Sequence, residues 1–179
     1  NAVRQAIQAT SGKFLAWKGK PIHAVYHATN GGIMASANEA WSMNPVNYLK
    51  PKLDGSRQWE NLFALPLQTN ELVRNFLSYR EGAYGNNHYR FRWKRTLTLN
   101  NLKKSLPFLR EVNDLPINIK VVERGPSGRV LALEIVSSNK EFSEILYRDN
   151  IRRTFPQLPS TLFIINQLEE GIWEISGGG

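Results

Sequence analysis

The chain has 179 residues, of which 41% are hydrophobic and 21% charged, the composition of a folded domain and not of a disordered or collagen-like chain. Its formal charge is +8 with a pI near 9.9 and it has no cysteine; that excludes disulfide frameworks, thiolate metal sites and cysteine nucleophiles, and it fits the cytosol and an extracytoplasmic site equally. Apolar runs reach four residues, as in Leu162–Ile165, far short of the roughly 18 that span a bilayer.

The charge is uneven: +4 over residues 1–60, +7 over 61–110 and −3 over 111–179. A basic middle of this kind suits a polyanionic neighbour such as nucleic acid, a membrane surface or an acidic wall polymer, and equally a soluble protein with a basic face.

In chain order, Ala2, Val3, Ala6 and Ile7 recur at helical spacing before Gly12, which predicts a helix over residues 1–10. Phe14–Trp17 and Ile22–Ala28 flank Lys18-Gly19-Lys20-Pro21 and read as two strands joined by a tight turn. The second strand delivers the chain into Thr29-Asn30-Gly31-Gly32. Residues 43–67 are rich in Asn, Pro and Gly with poor periodicity, which predicts an ordered loop. Thr69 or Asn70 caps a helix carrying Leu72, Val73, Phe76 and Leu77. Tyr89–Arg95 alternates aromatic with cationic side chains and continues into Leu97 and Leu99, a half-buried strand with its rings in the core and its cations in solvent. Asn100 or Asn101 caps a short helix closed by Pro107. Ile117–Val122 and Arg129–Val136 bracket Gly125-Pro126-Ser127-Gly128 as a hairpin; residues 141–155 read as helical; Thr161–Ile165 and Ile172–Ile175 form a last strand pair before Gly177-Gly178-Gly179. The order of hairpins and short helices predicts an α+β fold with mainly antiparallel strands.

Three groups of residues bear on chemistry. His23 and His27 are four apart, but on a strand that separation is about 13 Å, too far to share one ion, so no metal or other cofactor is expected. The Tyr89–Arg95 strand carries the residue types that stack and neutralise single-stranded nucleic acid, yet rings on one face and cations on the other cannot grip one ligand, and nucleic acid is not expected as a partner. Tyr26-His27-Ala28-Thr29-Asn30-Gly31-Gly32 gathers an imidazole, a hydroxyl and an amide beside two glycines that permit close backbone approach, with Glu39 and Trp41 following. Amide, hydroxyl, carboxylate and aromatic groups together suit a carbohydrate, as a plain strand-to-loop turn equally would.

The runs Ala9-Thr10-Ser11-Gly12-Lys13-Phe14, Gly19-Lys20-Pro21-Ile22-His23-Ala24-Val25-Tyr26-His27-Ala28-Thr29-Asn30-Gly31-Gly32, Glu39-Ala40-Trp41 and Tyr48-Leu49 resemble the stage II sporulation protein D / amidase enhancer family (SpoIID/LytB). Arg92-Trp93 leading to Leu97-Thr98-Leu99, and Ile151-Arg152-Arg153 with Leu158-Pro159-Ser160-Thr161-Leu162-Phe163, are similar to its middle and closing segments. The resemblance implies an extracytoplasmic, bacterial cell-wall protein that binds peptidoglycan glycan strands stripped of stem peptides, through His27, Thr29, Asn30, Gly31, Gly32, Glu39 and Trp41. It implies a core in residues 1–60, a basic inserted or second subdomain in 61–140 and a return to the core in 141–179. Members are lytic transglycosylases that use one glutamic acid as acid and base; their Glu-Met-Pro-like motif lies upstream of the segment matching Asn1, and a Gly-His-Gly-rich segment follows their last glycines. The expectation is therefore the middle portion of such a protein, with Glu39 the nearest in-chain carboxylate to stand in as catalyst. The other functions held open are a non-catalytic activator of wall amidases and a basic nucleic-acid-binding module.

Overall fold

The computed structural model describes residues 1–41, 43–110 and 116–179. The first helix, α1 (Ala2–Ala9), is capped by Asn1, whose side chain accepts from the Val3 N–H, and none of its residues is buried. The hairpin β1 (Ala16–Trp17) and β2 (Lys20–Pro21) turns through Lys18 and Gly19, both at positive φ. Beyond it the sequence expectation fails: residues 22–28 form no strand. The Ile22 N–H still reaches the Leu15 carbonyl, but no second backbone runs alongside the rest, and alternation without a partner ladder leaves a strand's polar groups unmet.

β3 (Ile33–Met34) pairs antiparallel with β4 (Lys52–Leu53), and the four-residue α2 (Ala37–Ala40) lies between them. The predicted loop over residues 43–67 contains β4 and α3 (Arg57–Leu62), whose Ser56 accepts from the Trp59 N–H. Trp59 supplies the reason: it is fully buried and edge-on to Phe63 and Phe76, a single large side chain that anchors a helix too short to show a period. α4 (Asn70–Ser78) follows as expected, capped by Thr69.

The strand expected from Tyr89 begins only at Trp93, as β5 (Trp93–Thr98). Tyr89 is exposed while Phe91 and Trp93 are buried. Thr98, and not Asn100 or Asn101, caps α5 (Leu99–Ser105), with the Asn101 side chain accepting from the Thr98 N–H in return. A 3₁₀ turn, Pro107–Arg110, ends this stretch.

β6 (Ile117–Arg124) and β7 (Val130–Ser137) form the expected hairpin, and β7 pairs on its other edge with β8 (Ser143–Tyr147). That edge corrects the helical reading of residues 141–155. The free ladder of an almost wholly buried strand claims residues 143–147, and the helix starts later, as α6 (Asp149–Thr154). β9 (Phe163–Glu169) and β10 (Ile172–Gly177) close the chain, with β10 central between β5 and β9. The fold is α+β, and every strand pair is antiparallel.

Two apolar clusters hold it together. The larger runs from Trp93, Leu97 and Leu102 through Leu133, Ile135 and Ile151 to Trp173 and Ile175, and so joins the two three-stranded sheets. The smaller packs Ile33, Trp59, Val73, Phe76 and Phe91 against Leu162 and Ile164. Phe163 belongs to the first cluster and its neighbours Leu162 and Ile164 to the second. Alternation along one strand, with side chains pointing to opposite faces, thus places a core on each side of the start of β9.

Candidate functional site: a cleft on the Thr29–Gly32 turn

The turn singled out by sequence is tied down by side-chain hydrogen bonds from several segments. Asn30 is 4% exposed; its Oδ1 accepts from the Gly32 N–H at 2.9 Å and its Nδ2 donates to Asp54 Oδ2 at 2.6 Å. Thr29 Oγ1 accepts from the Gly31 N–H at 3.4 Å. Gly31 and Gly32 have φ +72° and +92°, a region costly to residues with a Cβ. Space excludes a Cβ as well. At Gly31 it would lie 2.7 Å from the Gly178 carbonyl carbon, and at Gly32 it would lie 2.7 Å from the Trp59 ring. The close approach read from two glycines is real, but its partner is this chain's own terminal glycine run and Trp59. Both glycines are buried behind the cleft wall, and it is Thr29 and Asn30 that line the cleft.

Two arginines, Arg129 buried and Arg92 partly so, grip the same turn. Arg129 donates to the carbonyls of Asn30 and Ile33. Arg92 donates to those of Gly31, Phe91, Leu77, Phe76 and Tyr79, with its guanidinium 4.2 Å from the Phe91 ring centre. Burial pushes each guanidinium down to about 10; in Arg92 the neighbouring Arg80 adds to this, and in Arg129 the Glu39 carboxylate opposes it. Both stay charged at neutral pH. Arg92 is therefore no solvent-facing cation of an alternating strand. Because it sits in a turn before β5, its side chain is directed inward to the carbonyls of Phe76 and Leu77 at the end of helix α4 and of Tyr79 just beyond it.

Glu39 sits on α2 and is 2% exposed. Its Oε2 accepts from the Ser36 N–H at 2.8 Å and from the Ser36 hydroxyl; its Oε1 accepts from the Ser127 N–H at 2.8 Å and the Ser127 hydroxyl at 2.7 Å. The carboxylate thereby ties α2 to the β6–β7 turn. Gly125 leaves room for it, since a Cβ there would overlap the carboxylate. With four donors converging on two oxygens and Arg129 behind, Glu39 acts as a structural clamp at the base of the cleft.

The cleft has a volume of about 370 Å³ and combines Tyr26, His27, Thr29, Asn30, Glu39 and Trp41 with Arg90, Asp149, Arg152 and Ser160 from later segments. Five of the seven expected site residues thus meet at one cavity: His27, Thr29, Asn30, Glu39 and Trp41. Tyr26 is 92% and Trp41 42% exposed, so two exposed rings line a cleft that also carries apolar Val25, Met34, Leu49 and Pro159. Among the described residues no three His, Cys, Asp or Glu side chains gather as a metal would require, and no helix is long and apolar enough to cross a membrane.

Arg90, Arg129, Arg152 and Asp149 escaped the sequence reading of the site because segments more than 50 residues apart supply them. A partial signal existed for Arg129. An arginine that opens the apolar run Val130-Leu131-Ala132-Leu133 has little chance of reaching solvent from a central strand.

No curated protein matches this sequence. A family model described as a domain of unknown function, DUF8618, matches residues 35–179; that stretch contains Glu39, Trp41 and all of the later cleft residues, whereas Tyr26–Asn30 precede it. The chain belongs to the DUF8618 family.

Proposed function

We propose that this protein binds peptidoglycan glycan strands from which the stem peptides have been removed, as a middle portion of a SpoIID/LytB-like wall-remodelling protein acting outside the cytoplasm. The observation that supports it most is the cleft itself. Exposed rings at Tyr26 and Trp41 share a cavity of about 370 Å³ with the Thr29 hydroxyl and the His27 imidazole, while the Asn30 amide, spent on Gly32 and Asp54, holds the turn beneath them. Sugar rings offer apolar faces to aromatic side chains and hydroxyls to polar ones, and a cleft of roughly 300–1,000 Å³ is the usual size for such a ligand.

The reading assigns no catalytic step to this chain. Glu39, whose two oxygens each accept two hydrogen bonds, serves the wall of the cleft, and general acid catalysis needs a proton within reach of the glycosidic oxygen. Incubation of the chain with denuded glycan strands should accordingly leave no 1,6-anhydro sugar products by mass spectrometry; robust product would return Glu39 to the acid role.

Titration calorimetry with denuded glycan strands tests the binding itself. Saturable binding that weakens only modestly from low to moderate salt supports the reading. No binding to glycan, together with binding to single-stranded DNA that falls by orders of magnitude over the same salt range through counterion release, would replace it with the nucleic-acid module.

A further inference from the structure

A second groove, of about 520 Å³, lies on the other side of Trp41 and is lined by Tyr147, Arg148, Asn150, Arg152 and Arg153. Ala40, Trp41, Asp149 and Arg152 line both cavities, so a ligand lying in the first reaches the second past the Trp41 ring. We propose that this groove is an oxyanion site that takes a carboxylate borne by a saccharide whose neutral rings occupy the neighbouring cleft. The proposal rests on the glycan reading for those rings; the charged group is assigned from the groove alone.

Two observations point to an anion, and a third shows how the side chain that would meet it is held. The groove carries three arginines and one acid, and Asp149 engages Arg152 at 3.6 Å and Arg153 at 3.1 Å, while Arg148 has no ion-pair partner among the described residues. The Nε of Arg148 is buried and without any hydrogen-bond partner among those residues. Arg148 lines the groove, and none of its side-chain N–H groups makes a hydrogen bond or ion pair among the described residues, so the part of its guanidinium that faces the groove is free for a ligand. Finally, the Arg148 backbone stands at φ +48°, ψ −121°, a conformation that a residue with a Cβ adopts at a cost. Its N–H donates to the Leu131 carbonyl at 3.0 Å and its carbonyl accepts from the Ile151 N–H at 3.1 Å, which hold it there. Glycine, with no Cβ, would adopt this backbone without that cost. Guanidinium forks match carboxylates in two-point geometry, and continuity with the cleft favours a group carried on the same ligand.

The experiment compares affinities of N-acetylglucosamine tetramer, which is neutral, with denuded glycan strands, which carry a free carboxylate on every second ring, for the native chain and for Arg148→Gly. The native chain should prefer the anionic strand by about tenfold or more, the size expected for charge-assisted hydrogen bonds. Arg148→Gly should lose that preference, keep its affinity for the tetramer and melt at a higher temperature, because backbone strain is relieved. Equal affinity of the native chain for tetramer and strand, or a preference that survives Arg148→Gly, overturns the groove. Failure of the tetramer to bind while acetate or pyrophosphate titrates the groove in an Arg148-dependent way would remove the glycan reading and leave the oxyanion site standing. Preference for a glycerol-phosphate oligomer over the carboxylate strand would overturn the assignment to carboxylate.

Discussion

The two walls of the cleft are built in opposite ways. One, from Thr29 to Trp41, is backed by buried and partly buried groups: Arg92 and Arg129 on the turn carbonyls, Asp54 on Asn30, the Ser127 hydroxyl and N–H on Glu39, and Gly178–Gly179 packed against Gly31. The other, Val25 to Ala28, has no strand partner and leaves every residue exposed. The same contrast continues into the N-terminus, where α1 buries nothing and Val3, Ile7, Phe14 and Leu15 are more than 60% exposed. Among the described residues, Trp17 beside Tyr48, with ring centres 6.2 Å apart, and the His23 N–H on the Tyr48 hydroxyl tie that arm down. A cleft made this way holds hydrogen-bonding groups in fixed places on one side and offers side chains free to turn toward a ligand on the other.

The comparison breaks first at its foundation. Trp59 lies under Gly32 and donates its Nε1–H to the Gly32 carbonyl at 3.0 Å; Trp59→Ala should destabilise by about 3–5 kcal/mol in denaturant unfolding, as other large-to-small core changes do, and abolish glycan binding with the fold. Trp93→Ala, in the larger cluster and not among the residues lining the cleft, should cost about the same but spare binding in whatever fraction remains folded. Arg92→Ala removes the donor for five carbonyls and should cost about 2–4 kcal/mol, where a solvent-facing cation would cost close to nothing. Glu39→Ala should fall in the same range of about 2–4 kcal/mol, because it orphans the Ser36 and Ser127 donors and leaves Arg129 buried without its carboxylate. At the small end, removal of residues 1–9 should change the melting temperature by no more than about a degree, since it uncovers no core. A large loss there would show that α1 packs on the domain after all.

How much of this was legible in the sequence depended on whether a residue's partner was near in the chain. Some caps and hairpins were: Thr69 on α4, the Gly125–Gly128 turn and the closing strand pair are decided within ten residues, although the cap of α5 fell on Thr98 and not on Asn100 or Asn101. The strand read over Ile22–Ala28 and the helix read over residues 141–147 failed because alternation and helical spacing describe a face, while the neighbour that completes the ladder is set elsewhere, by its absence in one case and by the free edge of β7 in the other. The glycine pair was read with the right physics and a different partner. Close backbone approach was required, and a second glycine run 146 residues later supplied it. Charge misled most. Counting Arg92, Arg124 and Arg129 as surface basicity overlooks that all three spend their donors on buried carbonyls or side chains.

The most direct test of the central claim, that this cleft binds glycan through its exposed side chains, is calorimetry with denuded glycan strands on His27→Ala and Trp41→Ala, each checked for an unchanged melting temperature. Neither side chain supports the buried wall, so both variants should fold as the native chain does. Each should bind more weakly, by about threefold to tenfold for one lost hydrogen bond or ring contact. Native affinity in both would contradict the account.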